Sequence, residues 1–171
     1  MDITQTLKQL FAKLNFIQRL INRMTTPDQI LQMIRSKAKQ AGITEDSDIF
    51  KNGLATLKWE SGLNPNAVCF NLTNGEAISG VYTGEDKVIT DKGDEYILNK
   101  EAKTLTTKAG KVIYYNSWDR GIGQWNDKYW PKITDAMAFN PNIAIDWFWP
   151  QFKIDPNTWI GFKIGAFRNY L

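Results

Sequence analysis

The chain has no histidine among its 171 residues and a single cysteine, Cys69. Without histidine, the usual general base near neutral pH, most zinc sites and the Ser-His and Cys-His nucleophile pairs are excluded. Acid-base chemistry then falls to carboxylates, Tyr or Lys. One thiol allows no internal disulfide, which fits a reducing compartment or export without that staple. No stretch approaches the roughly 18 uninterrupted apolar residues of a membrane span, so no transmembrane segment is expected. The N-terminus lacks the basic-apolar-small order of a signal peptide, which points to another export route or to a longer precursor. Charge of one sign is also scarce: the net charge is +3, and residues 1–60 carry nine Lys and Arg against six Asp and Glu. That balance is too mild to indicate nucleic acid as a partner.

Aromatic residues are what the chain does have. Seven Trp and six Tyr help raise the aromatic share to 13%, and several of the Trp fall in polar runs. Flat aromatic faces serve sugar rings as well as hydrophobic cores. The length fits one domain with a single sizeable core.

Leu7, Leu10, Leu14, Ile17, Ile21 and Met24 recur at alternating steps of three and four, the spacing of a coiled-coil seam. The spacing predicts an amphipathic helix over 1–25, which packs on its own domain or serves self-association in a larger assembly. A second helix starts at Thr26 as N-cap with Pro27 and Asp28 behind it, buries Ile30, Met33, Ile34 and Ala38, and stops at Gly42. A third is capped by Asp46 or Ser47, runs through Leu54 and Leu57 to Glu60, and ends near Gly62. From about 76 to 116, short β-prone runs alternate with the turn signals "TGED", "DKGD" and "KAGK", which predicts a β-meander with one wet face. Helices return after the Gly- and Trp-rich loop: one begins at Asn140 and Pro141 and breaks at Pro150, and Asp155-Pro156 repeats the start signal. Trp147, Trp149 and Trp159 are expected in the core between these last helices.

Glu60 sits awkwardly in this scheme. On a helix it lies about 60° from Leu57 and about 120° from Leu54, bordering the buried stripe. It also occupies the last turn, where the negative end of the helix dipole opposes a carboxylate. Both effects push its pKa upward, and a carboxyl that stays protonated near neutrality suits a general acid for a poor leaving group such as a glycosidic oxygen. The alternative is a Glu whose side chain bends out to solvent.

Four segments in order, "WESGLNPNAV", "SWDRGIGQW", "AFNPNIAI" and "WIGFKIGAFRNYL", resemble the motifs of lysozyme-like muramidases, most closely the soluble lytic transglycosylase type. The resemblance runs from about residue 28 to 171. It implies an α+β, predominantly helical lysozyme-like fold over 26–171, with an antiparallel β-meander inserted at about 76–116. By resemblance, Glu60 corresponds to the catalytic acid/base, Ser61 to the residue that fixes the helix end, and Gln124 to the amide that contacts the sugar chain. Gly121 and Gly123 leave room for backbone to approach a ligand. "SWDRGIGQW" is also similar to a strand turn of animal-type lysozymes, which puts Asp119 where those enzymes keep a second carboxylate; a turn residue or salt-bridge partner is the alternative. Trp118, Trp125, Tyr129 and Trp130 flank the Gln turn, in a polar loop suited to stacking on saccharide rings. One departure stands out: the family's closing segment has a Tyr-Asn pair before its glycine, where this chain has Phe162 and Lys163, and Phe162 has no hydroxyl to orient the acid.

The expected activity is cleavage of the β-1,4 bond between N-acetylmuramic acid and N-acetylglucosamine in peptidoglycan. Lytic transglycosylation to anhydro-muramoyl products needs one acid/base residue, whereas hydrolysis would use Asp119 as well. A non-catalytic wall-binding module of a phage tail or envelope assembly is the rival. No metal or organic cofactor is implied, and the expected place of work is the cell envelope, the extracellular space or a virion.

Overall fold

The structure, a computed structural model, describes residues 25–171. The expected helix over 1–25, with its role in self-association, therefore lies outside the described residues apart from Thr25.

Two helices lead, as the caps require. Helix α1 (Pro27–Gln40) starts at Thr26, whose side chain and that of Gln29 cap each other's backbone N–H, and it buries Ile30, Ile34 and Ala38. Met33 is only partly buried against the same core. Helix α2 (Asp48–Ser61) is capped by Ser47, whose hydroxyl accepts from the Phe50 N–H, and ends at Gly62 in the left-handed region. Glu60 is thus the penultimate residue of α2.

The strand region departs from the expected fold. Six antiparallel strands, β1 (Ala67–Leu72), β2 (Ala77–Gly84), β3 (Lys87–Thr90), β4 (Glu95–Asn99), β5 (Thr104–Thr107) and β6 (Val112–Arg120), close into a barrel when β6 pairs with β1. This overturns the predominantly helical lysozyme-like fold with an inserted open meander. The strands span 67–120 rather than 76–116, and β1, which lies ahead of the expected meander, supplies the strand that closes the barrel. The physical reason is the barrel's own interior: Val68, Phe70, Tyr82, Val88, Leu98, Leu105 and Trp118 are all buried in it. A one-sided sheet would leave that face in water, whereas closure also pairs both edge strands.

The helical lobe completes the chain with α3 (Asp135–Ala138), α4 (Pro141–Ile154), a 3-10 turn (Pro156–Thr158), α5 (Ile160–Lys163) and a final 3-10 turn (Ala166–Tyr170). Helix α4 does not break at Pro150. Phe148, Trp149 and Phe152 on either side of that proline are buried, and their burial, worth about 1.5–3 kcal/mol each, exceeds the roughly 3 kcal/mol that an interior proline costs. Trp149 and Trp159 are core as expected, but Trp147 is 38% exposed. The core is therefore in two parts, one among the helices and one inside the barrel, rather than the single core that the length suggested. They are bridged by Phe139, which stacks on Tyr82, and by Asp135, which accepts from the buried Arg120 and from Lys100, both at 2.7 Å. Among the described residues no helix is long and apolar enough to cross a membrane.

Candidate functional site

Strand alternation decides what β6 presents. Trp118 and Arg120 turn to the barrel interior, while Ser117 and Asp119 turn outward toward Asn71 and Cys69 of β1, their register partners. Asp119 is therefore not the salt-bridge partner of its neighbour Arg120, which pairs with Asp135 instead. Its oxygens are held from two sides: Asn71 Nδ2 donates to Oδ2 at 3.0 Å, and Asn126 Nδ2 donates to Oδ1 at 2.8 Å.

The turn after β6 is locked to both lobes. The Gly121 N–H donates to the Ala67 carbonyl, continuing the β1–β6 ladder. Ser61 Oγ lies 2.9 Å from the Ile122 carbonyl and 3.0 Å from that of Leu57, so it ties the end of α2 to this turn. Trp159 Nε1 donates to the Gly123 carbonyl at 2.9 Å. Gly121 and Gly123 serve close packing inside the protein rather than ligand approach. Gly121 has φ +68, and a side chain there would overlap the Ala138 carbonyl oxygen, while one at Gly123 would meet the Trp125 indole. Gln124 also adopts positive φ (48°), and its Nε2 donates to the carbonyls of Gly121 and Ala67. With both amide hydrogens engaged, its Oε1 is what remains to face a ligand.

Two clefts, about 690 and about 530 Å³, meet between the outer barrel wall and the helical lobe. Glu60, Asn71, Asp119, Gln124 and Ile160 line both, so the two carboxyls stand where the clefts join. Burial pushes the Glu60 carboxyl up to about 7; the Gly161 N–H that donates to its Oε1 at 3.1 Å pulls the other way, and the charge of Asp119 adds to the rise. Asp119 is also raised by burial, against the pull of its Asn126 and Asn71 donors. Two neighbouring carboxyls with elevated pKa values, one near neutrality, can divide the roles of proton donor and anion.

The structure brings Glu60, Ser61, Asp119, Gln124, Tyr129 and Trp130 to this groove, but not every expected aromatic. Trp118 is 3% exposed and fills the barrel against Phe70 and Tyr82; Trp125 is fully buried against Trp130 and Trp159. Neither has a free face for a sugar. Tyr129, 74% exposed, and the half-buried Trp130 do line the larger cleft.

Sequence reasoning missed Asn71, Asn126, Gly161 and Trp59. Asn126 lies two residues beyond Gln124 in the same polar loop, a signal that was present. Gly161 offers its backbone N–H to the Glu60 carboxyl, and a Cβ there would overlap the Trp59 ring. Asn71 was not legible, because only the β1–β6 register brings it to Asp119. Among the described residues no cluster of three or more His, Cys, Asp or Glu is placed to hold a metal ion. Comparison of the chain with protein-family models, with curated proteins and with solved structures finds no match.

Proposed function

We propose that the protein is a glycosidase that cleaves the β-1,4 bond between N-acetylmuramic acid and N-acetylglucosamine in peptidoglycan. The observation that carries this reading is Glu60, a carboxyl with a pKa near 7, facing Asp119 at the junction of two clefts. A long groove with the acid at its middle suits a polymer bound on both sides of the scissile bond, and the ordered motifs shared with lytic transglycosylases point to the same substrate. Glu60 gives its proton to the glycosidic oxygen as the bond to the anomeric carbon breaks, and positive charge develops there near Asp119. In hydrolysis, water adds to that carbon and its proton restores Glu60. In transglycosylation the muramoyl hydroxyl adds instead and leaves an anhydro end.

The doubly held Asp119 favours hydrolysis over the transglycosylation that the closest motif resemblance implies, because two donors keep an anion aimed at the developing charge. Such a substrate puts the protein's work at the cell envelope. Digestion of purified peptidoglycan by the wild type and Glu60→Gln tests the assignment. Soluble muropeptides should appear only with the wild type; equal release by both would sink the catalytic reading, and binding without release by either would favour a non-catalytic wall module. Mass spectrometry of the products separates reducing ends from anhydro ends.

A further inference from the structure

Three residues at the end of β6 pair with three beyond the Gln turn, and the contact that holds Asp119 is the middle rung. Strand β5 pairs with β6 only as far as Tyr114. Past that point, among the described residues, this edge of β6 has no strand beside it, and residues 125–127 fold back onto it instead. The Trp125 N–H donates to the Arg120 carbonyl at 2.9 Å, and Arg120 Nε donates in return to the Trp125 carbonyl at 3.0 Å. Trp118 and Asp127 are linked twice in the same way: the Asp127 N–H donates to the Trp118 carbonyl, and the Trp118 N–H donates to Asp127 Oδ1, both at 3.0 Å. Between these rungs Asn126 Nδ2 reaches Asp119 Oδ1.

Both outer rungs are anchored away from the groove. Arg120 is buried and paired with Asp135. Asp127 lines neither cleft. Its Oδ2 lies 3.6 Å from Lys103 Nζ, which also donates to the Asn116 carbonyl at 3.0 Å. In the Asp127 rung a carboxylate accepts the N–H that the carbonyl of a neighbouring strand would otherwise take. Without it the Trp118 N–H loses its acceptor, and the backbone next to Asn126 loses one of its two ties to β6.

We infer that Asp127 is a positioning residue for Asp119: from behind the groove it clamps the Gln turn to β6, so that Asn126 keeps its donor on the carboxylate. The effect on turnover rests on the glycan-cleaving reading of the site, whereas the hold on Asp119 is measurable without substrate. Asp127 also acts through its charge, which raises the Asp119 pKa while the Arg120 charge lowers it. Glu60 on α2 and Cys69 on β1 are the other titratable groups that face Asp119 among the described residues. Removing the Asp127 charge therefore lowers the Asp119 pKa, and releasing the Asn126 donor raises it, so two variants separate charge from clamp.

The Asp119 carboxyl is titrated by carbon NMR on the full chain, with Glu60→Gln in every sample to keep the carboxyl across the groove neutral. Asp127→Asn removes the charge but keeps an acceptor for the Trp118 N–H; Asp127→Ala removes both. Asp119 should titrate about one pH unit higher in Asp127→Ala than in Asp127→Asn, the size expected when a donor to a carboxylate is lost. Asp127→Glu keeps the charge but carries its carboxylate past that N–H, so Asp119 should titrate higher than with Asp127 intact; this comparison serves if Asp127→Ala fails to fold. The difference between Ala and Asn should vanish in Asn126→Leu, where no donor remains to be placed, and persist in Asn71→Leu. A merely structural role would lower Tm alike in all three backgrounds and leave no such pattern. With Glu60 restored, kcat should be about tenfold lower in Asp127→Ala than in Asp127→Asn, matching the one-unit change. Equal titration in Ala and Asn with no rise in Glu, or a difference that survives Asn126→Leu, overturns the inference and leaves glycan cleavage standing. The expected titrations in a protein whose wild type releases no muropeptides support the positioning and overturn the cleavage.

Discussion

Gly161 donates its backbone N–H to Glu60 Oε1 at 3.1 Å, joining the closing segment of the chain to a carboxyl 101 positions earlier. The same glycine has no room for a side chain because Trp59, the residue before Glu60, packs against it. One backbone position thus both orients the acid and seats the aromatic ring beside it.

Gly161→Ala should accordingly disturb the acid rather than only the fold. The added methyl has to displace the Trp59 ring, at a cost of about 1–3 kcal/mol of stability. Weakening the bond to Oε1 relaxes the hydrogen bond that holds the Glu60 pKa down, so the alkaline limb of the pH profile should move to higher pH while kcat falls. Thermal unfolding together with a pH–rate profile checks both; a lower Tm with an unshifted alkaline limb would mean that the contact is only structural.

Glu60 itself should leave a signature in stability. Its carboxyl binds a proton more tightly in the folded protein, about 7 against the ordinary 4.5. The protonated form is therefore accommodated without loss below about pH 4.5, and stability falls as pH rises from there through about 7, by at most about 3 kcal/mol. Glu60→Gln removes this dependence. The variant should match the wild type near pH 4 and exceed it in Tm at pH 8, while turnover drops about 10²–10⁴-fold. Wild-type activity should decline above about pH 7, where the acid has lost its proton.

The acid limb of the same profile should report Asp119, whose pKa lies above its ordinary 3.8. Asn71→Leu and Asn126→Leu each remove one donor to the ionised carboxylate, a bond worth about 1.5–3 kcal/mol. Each should move the acid limb upward and reduce kcat by about tenfold or more. Asn126→Leu should also loosen the loop that bears Tyr129, so it should raise KM where Asn71→Leu does not. A profile unchanged in both variants would remove Asp119 from the mechanism.

Trp118 and Tyr129 should separate cleanly. Trp118→Ala opens a hole in the barrel and should cost about 3–5 kcal/mol, seen as a large drop in Tm. Tyr129→Ala lies in the groove and on the surface, so it should leave Tm within a degree or two while weakening glycan binding. The reverse pattern would return Trp118 to the ligand.

The sequence by itself determined the helix starts, the position of Glu60 and the makeup of the Gln turn, because these rest on interactions within a few residues. Thr26, Ser47 and Asn140 cap helices through hydroxyl or amide groups three residues or fewer from their partners, and the 100° step of a helix already placed Glu60 at the edge of a buried stripe. The barrel was decided only by tertiary structure. Strand β1 pairs with β6 across about fifty residues, with Cys69 opposite Asp119, and no local pattern encodes a pairing at that distance. That closure turned Trp118 inward, carried Asn71 to Asp119 and placed the second carboxyl in the groove with Glu60. Periodicity can show that alternate residues of β6 face opposite ways; which face is covered depends on what folds against it.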